Sequence, residues 1–387
     1  MVNCKLVILA WNIPPSLSAV STVVWNLASE FRKGEIVLAG DAPPTSANPE
    51  YTIEEPETVY LRKPRCGRGE NSLRRLSAPL MAVKAYGLCK RKRCSSIMAV
   101  FPDEAYLFAG WMAARLTGAR FYPYFHNTYL ENRTGLLRCF AGFLQPRVFR
   151  DSKHVFVMSE GMVELYRRNY PGLANCTALL HTFREPLPSF QAPPPPGTTL
   201  KVGFCGTIND SCLEAAQRLF RAVSKVPGAR VQFCTRLSPS YLQKIGVWFD
   251  NSSHCTPARP ELLQILSQMD FLLLPHGFTG RLAQVEYETI FPTKTIEYLI
   301  SGRPILAHSP PGVFLTRFLK QHDCALVVEE SSETALVDAI RRLQADAELR
   351  VRLVKNALRT ARMFQASVVA KHLREVLAQG ETRDQRP

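Results

Sequence analysis

The segment YETIFPTKTIEYLISGRPILAH (residues 287–308) decides how the chain is read. A helix over 293–301 would follow Phe291-Pro292, with Thr293 as its N-cap and Lys294 in its first turn. Helix N-termini present free N–H groups and a partial positive charge, so phosphate is favoured there. Glu297 lies three residues beyond Lys294 and shares its face. A cation beside phosphates and a carboxylate one turn deeper suit a nucleotide, because a carboxylate accepts from two ribose hydroxyls. A local motif accounts for the same residues equally well: Thr293 and Glu297 lie close to S/T-x-x-E capping spacing, one residue too long.

Working outward, short apolar runs alternate with helical patterns. KVGFCGT (201–207), RVQFCT (230–235), DFLLLP (270–275), RPILAH (303–308) and CALVVE (324–329) read as strands. Helical patterns fall at 211–225, 260–268, 293–301 and 332–345, with a last stretch over 347–377. The first half repeats the theme, with strands at 5–11, 35–40, 96–101, 120–125 and 154–159 and helices at 21–32 and 104–117. Such alternation indicates a parallel α/β sheet. REPLPSFQAPPPPGTT (184–199) has six prolines in sixteen residues and no hydrophobic period, so it reads as a spacer between two similar halves. The expected division is 1–183, a linker at 184–199, 200–360, and a terminal helix with a polar tail at 361–387. Two Rossmann-like domains would face a central cleft, with ligands beyond the carboxyl ends of the strands.

Composition narrows the classes. With 387 residues, 46% hydrophobic and 21% charged, the chain is ordinary globular material. No run of 18 apolar residues occurs, and MVNCKLVILAWNIPP reads as a strand rather than a secretory signal. Eleven scattered cysteines form no CxxC or finger spacing and read as reduced core thiols of a cytoplasmic protein, with no metal site. The formal charge is +15, and residues 62–93 hold eleven basic side chains against one acid, Glu70, a field that attracts polyanions or anionic lipid. In TGLLRCFAGFLQPRVFR (134–150), Leu136, Leu137, Phe140, Phe143 and Leu144 recur at helical spacing, flanked by Arg133, Arg138, Arg147 and Arg150. That stripe is either an interfacial element or a core-facing helix with a basic rim. Nucleic acid is disfavoured, since aromatics do not interleave with the basic run. No GxGxxG or Walker A motif points to a dehydrogenase or P-loop NTPase.

The segment FPTKTIEYLISGRPILA resembles the nucleotide-sugar motif of GT-B glycosyltransferases of the glycogen-synthase-like group, whose core is P-(S/T)-K-x-x-E-Y-x-x-x-G-x-P. VGFCGTI (202–208) is similar to the Gly loop opening their donor domain, which brings in Gly206 and Thr207. The resemblance implies that Glu297 binds the donor ribose, that the Thr293–Thr295 backbone with Lys294 holds the diphosphate, and that the last helix crosses back to the first domain. It also implies a nucleotide sugar as co-substrate with no further cofactor, and transfer to a hydroxyl without a metal. The acceptor would be lipid-linked or a polysaccharide at the cytoplasmic membrane face. Thr289 stands where many members carry a second acid, and Thr207 where many have arginine. Arg236 and Arg281 are candidate replacements, although a loop arginine is more often a solvated surface residue.

In the first half, HNTY after RFYPYF resembles the family's strand-ending histidine, which makes His126 the sugar-contacting or general-base candidate. On its own, such a residue merely caps a strand end. Ser159, His181 and His276 hold similar positions with less support. Ser18-Ala19 replaces the usual Gly-Gly of the first loop, leaving Ser18 on the acceptor side. Two alternatives to a transferase remain: a GT-B epimerase or hydrolase acting on nucleotide sugars, and a non-catalytic GT-B scaffold subunit.

Overall fold

The computed structural model describes residues 5–16, 18–43, 56–64 and 69–383. The chain divides into two compact units, residues 1–184 with 365–387, and residues 185–364. Cys4, Cys66, Arg65 and Arg68 lie outside the described residues.

The first unit runs β1 (Leu6–Leu9), α1 (Ala19–Ala28), β2 (Ile36–Asp41), β3 (Glu57–Arg62), α2 (Glu70–Leu76), α3 (Ala78–Lys92), β4 (Ser96–Phe101) and α4 (Glu104–Thr117). It continues with β5 (Arg120–Phe125), α5 (Gly135–Asp151), β6 (Val155–Val157), α6 (Glu160–Asn169) and β7 (Cys176–Ala178). Its seven strands are parallel in the order β3-β2-β1-β4-β5-β6-β7. Central β1 pairs with both β2 and β4, Leu6 lying opposite Ile36 and Ser96, and all four of its residues are buried. A strand covered on both faces needs an unbroken apolar run, which LVIL supplies. Asp103 caps α4 by accepting from the Ala105 and Tyr106 amides, and Ser159 caps α6 through Met162.

The second unit runs β8 (Leu200–Cys205), α7 (Leu213–Ser224), β9 (Ala229–Cys234), α8 (Pro239–Lys244), β10 (Ser252–Cys255), α9 (Arg259–Ser267) and β11 (Phe271–Pro275). It continues with α10 (Gln284–Thr289), α11 (Lys294–Ile300), β12 (Ile305–His308), α12 (Phe314–Gln321), β13 (Leu326–Val328), α13 (Glu333–Ala345) and α14 (Ala347–Ala361). The order β10-β9-β8-β11-β12-β13 is the 3-2-1-4-5-6 pattern of a Rossmann-like domain. The apolar stripe of α7 puts Ala216, Leu219, Phe220 and Val223 on the sheet, where Phe220 meets Phe204 at 5.6 Å and Phe233 at 4.8 Å. In both sheets the order reverses beside the first strand, so the loops after β1, β4, β8 and β11 border the switch points.

Three strands missing from the sequence reading, β3, β7 and β10, all lie at sheet edges. Their residues are mostly half-exposed and carry no apolar run, which removes the signal. The basic stretch is not a plain charge run but holds α2 and α3. The final stretch over 347–377 is two helices, α14 and α15 (Ala366–Arg383), broken by a 3-10 turn at Arg362–Phe364. At that turn Phe364 stacks on Phe291 at 5.5 Å in the second unit, whereas the Ala366 amide donates to the Phe183 carbonyl in the first. Residues 184–199 contain no helix or strand.

Candidate functional site

The second unit assembles the motif residues around the end of β8. Gly206 turns the chain out of the strand at φ +84°, a left-handed conformation that glycine adopts freely. Helix α11 lies against this turn through residues four apart. Lys294 Nζ donates to the Thr207 carbonyl at 3.1 Å and sits 4.1 Å from the Phe204 ring centroid, while the Tyr298 hydroxyl accepts from the Cys205 amide at 2.9 Å. The lysine is 9% exposed, so its charge is held inside the site by a carbonyl dipole and an aromatic face.

Glu297 is fixed by a residue outside the motif. Arg259, first in α9, donates to Glu297 Oε1 at 2.8 Å and also pairs with Glu185. Burial works against the guanidinium charge, and the two carboxylates outweigh it and raise its pKa. The other oxygen, Glu297 Oε2, is shielded and has no hydrogen-bond partner among the described residues. Thr295 Oγ1 is in the same condition. Nothing in TPARPELL around Arg259 signals this role, because the pairing spans 38 residues to Glu297 and 74 to Glu185.

Thr293 precedes α11 with helical angles (φ −56°, ψ −36°) and makes no side-chain cap. The capping-box alternative is therefore absent, and so is the expected N-cap. Both fail for the same reason: an N-cap hydroxyl needs an extended backbone to reach the following amides. Arg236 and Arg281 are exposed, in the loops after β9 and β11. The second loop is anchored by Glu214, which accepts from the Phe278 amide at 2.5 Å and pairs with Arg218. Arg218 in turn donates to His308 Nε2 at 2.7 Å. His276 is 1% exposed and its Nε2 lies 2.7 Å from the Tyr287 carbonyl, a structural tie to α10.

In the first unit His126 directly follows β5, half-buried, with its ring 4.4 Å from Tyr124 and 5.7 Å from His181. Its Nε2 is shielded and unpartnered among the described residues. Burial, with a smaller contribution from His181, holds the ring well below the usual imidazole range, so it is neutral at pH 7. Ser18 caps α1 by accepting from the Ser21 amide at 3.1 Å.

Folding pairs four of the eleven basic residues of 62–93 with acids. Arg62 pairs with Asp41 and Glu70, Arg74 with Asp103, Arg75 with Glu104, and Lys92 with Glu57. Four of these acids come from outside the stretch, which keeps a net positive charge. On α5, Leu136 is 89% exposed and Leu137, Phe140 and Phe143 are exposed with it, whereas Leu144 is buried. The core-facing reading of that stripe is therefore wrong for four of its five residues. Among the described residues no helix is long and apolar enough to cross a membrane, and no three of His, Cys, Asp and Glu gather as metal ligands.

No protein-family model and no curated protein matches the sequence. Solved structures do match. Sucrose-phosphate synthase of Thermosynechococcus elongatus is 12% identical over 98% of this chain and 99% of its own, with a TM-score of 0.70. HepE of Anabaena, solved in complex with UDP-glucose, is 13% identical over 97% and 99%, with a TM-score of 0.70. A Listeria monocytogenes protein assigned as a UDP-N-acetylglucosamine 2-epimerase is 9% identical over 100% and 98%, with a TM-score of 0.60. These likenesses run the length of both units, and the chain has the GT-B fold of two Rossmann-like domains found in nucleotide-sugar glycosyltransferases.

Proposed function

We propose that the protein is a glycosyltransferase that moves a sugar from a nucleoside-diphosphate donor to a hydroxyl acceptor. The observation that carries this reading is the Glu297 carboxylate, with one oxygen held by Arg259 and the other buried and unpartnered among the described residues, in the helix that also brings Lys294 to the Gly206 turn. A shielded acceptor of that kind suits a ribose hydroxyl, and Lys294 supplies the cation that a leaving diphosphate requires. The Thr293–Thr295 backbone, Gly206 and Thr207 complete the donor site in this reading, with the exposed Arg236 and Arg281 closing on the phosphates from their loops. Solved GT-B structures of similar size hold UDP or UDP-glucose, which favours a uridine donor.

Burial lowers the pKa of the His126 ring and makes it a weaker proton acceptor. His126 is accordingly assigned to bind a hydroxyl of the transferred sugar through Nε2 rather than to act as general base. Ser18, occupied in capping α1, contributes through the small size of its loop. The exposed apolar residues of α5, beside Arg138, Arg147 and Arg150, suit an anionic membrane surface and an acceptor presented there, on the cytoplasmic side.

A thermal-shift panel of UDP, GDP, dTDP and ADP sugars tests the reading. At about 100 times its dissociation constant a ligand adds roughly 2.7 kcal/mol. One nucleotide class should respond, and Glu297→Ala and Lys294→Ala should each weaken it more than about tenfold. The absence of any response at millimolar concentration would refute the donor site. The Listeria likeness supports epimerisation as a second reading, and turnover of the nucleotide sugar without any acceptor would establish it.

A further inference from the structure

Three cysteines stand in line across the second sheet. The register of β8, β9 and β10 sets Cys205 opposite Cys234 and Cys234 opposite Cys255, each the last residue of its strand. Phe204 and Phe233, one residue earlier, pack on Phe220 of α7, so the thiols lie on the other face of the sheet. This end of the sheet also carries the donor-site residues: Glu297, Lys294 and Arg259 lie close enough to act on the charge of Cys205.

The three thiols are not equivalent. Cys255 donates to Cys234 Sγ across 3.6 Å, and the Gln232 amide donates to Cys255 Sγ at 3.2 Å. Cys205 and Cys234 are 2% and 4% exposed, whereas Cys255 is half-exposed. Cys255 also belongs to a four-residue strand at the sheet edge that pairs with β9 alone, while β8 is held between β9 and β11. Neighbouring strands run about 4.8 Å apart, inside the span of roughly 4.4–6.8 Å between Cα atoms that a disulfide bridges. A strand free on one side can make the remaining approach, and a strand hydrogen-bonded on both sides is held in place.

We infer that Cys234 and Cys255 form an oxidisable thiol pair, closed to a disulfide by low-molecular-weight disulfides such as oxidised glutathione, and that closing it weakens nucleotide binding through Arg259. Burial, with Cys255 adding to it, holds the Cys234 thiol above its usual range, and a thiolate is the attacking species, so Cys255 takes the first step. Its thiol loses a proton to solvent, and its sulfur attacks the oxidant, breaking that S–S bond. A mixed disulfide forms, and one thiolate departs and takes up a proton. The Cys234 sulfur then displaces the second thiol, which leaves with the Cys234 proton. Two protein thiols are oxidised, and one small disulfide is reduced to two thiols.

The path to the site is short. Cys255 stands four residues before Arg259, which holds Glu297 at 2.8 Å. His254 Nε2 and Thr256 Oγ1, on either side of Cys255, both donate to the Thr235 carbonyl just beyond Cys234. A shift of Cys255 therefore moves the chain that leads into Arg259. The cross-link stands independently of the nucleotide-sugar reading; its effect on binding rests on that reading.

The test treats the full chain with oxidised glutathione, alkylates the remaining thiols and digests with trypsin. Cleavage after Arg236 and Lys244 puts the two cysteines on separate peptides. A linked Cys234–Cys255 peptide should form and disappear on reduction with dithiothreitol. Oxidation should weaken the binding of UDP or GDP, followed by calorimetry, by about fivefold, the low end of coupling between separate sites, and reduction should restore it. Cys255→Ser and Cys234→Ala, each confirmed as folded by circular dichroism, should bind nucleotide as reduced wild type does and lose the oxidant response. Cys139→Ser, which removes an exposed thiol, should keep that response. The inference is overturned if Cys139 is modified while Cys234 and Cys255 stay reduced, if Cys234 joins Cys205 instead, or if cross-linked protein binds nucleotide as tightly as reduced protein. Cross-linking in a protein that binds no nucleotide when reduced would uphold the thiol pair and refute the donor site.

Discussion

Arg259 offers the sharpest test of how the candidate site is built. It joins Glu185 and Glu297, and removing it takes away the cation that the two carboxylates share. Breaking a buried pair by deleting one partner costs about 3–5 kcal/mol, and exposed pairs are worth about 0–1 kcal/mol. The Arg259 and Glu297 side chains are 25% and 17% exposed, so Arg259→Ala should cost about 2 kcal/mol. For a unit of this size that is a fall of roughly 4–8 °C in melting temperature. Glu297→Ala should cost less, because Arg259 keeps Glu185. The double variant should then be more stable than the sum of the single losses predicts, with a coupling of about 1–2 kcal/mol. Urea unfolding of the four proteins, followed by circular dichroism, gives the cycle. Additive losses within about 0.5 kcal/mol would show that Arg259 does not hold Glu297, and the donor-site geometry would lose its support.

Acid sensitivity follows from buried imidazoles. Burial depresses His181 to about 3 and His276 and His308 to about 4, so below about pH 6.5 protons bind the unfolded chain first. Stability is complete above that pH and falls towards pH 4 by up to about 1.4 kcal/mol per pH unit for each ring, and urea midpoints that stay flat from pH 7 to 4.5 would contradict the burial. Gly206→Ala should cost about 1 kcal/mol from its positive φ alone, since a Cβ there meets Lys294 Cε at an ordinary 3.6 Å. Gly203→Ala should cost about 1–3 kcal/mol, because its Cβ would lie 2.7 Å from Leu272 Cδ2 and Met269 Cγ; thermal melts that fail to rank the two in this order would refute the packing. The double variant Leu136→Ser with Phe143→Ser should leave the melting temperature nearly unchanged and weaken sedimentation with phosphatidylglycerol vesicles about tenfold; equal binding would remove α5 as a lipid surface.

Much of the fold and part of the site could be read from the sequence because their causes are local. Strands buried on both faces need continuous apolar runs, and LVIL, SIMAVF and FLLLP supply them. The spacing of Lys294, Glu297 and Tyr298 puts them on adjoining faces of one helix whatever that helix packs against. What the sequence could not show depends on partners brought from far along the chain. The edge strands β3, β7 and β10 exist because a neighbouring strand offers hydrogen bonds, not because of their own side chains. Four basic residues of the stretch, in β3, α2 and α3, find Asp41, Asp103, Glu104 and Glu57, which lie outside it. Arg259 becomes part of the site only when the start of α9 reaches Glu297 of α11. Periodicity records which face of an element is covered; ion pairing and cavities depend on which elements meet, and only the tertiary structure decides that.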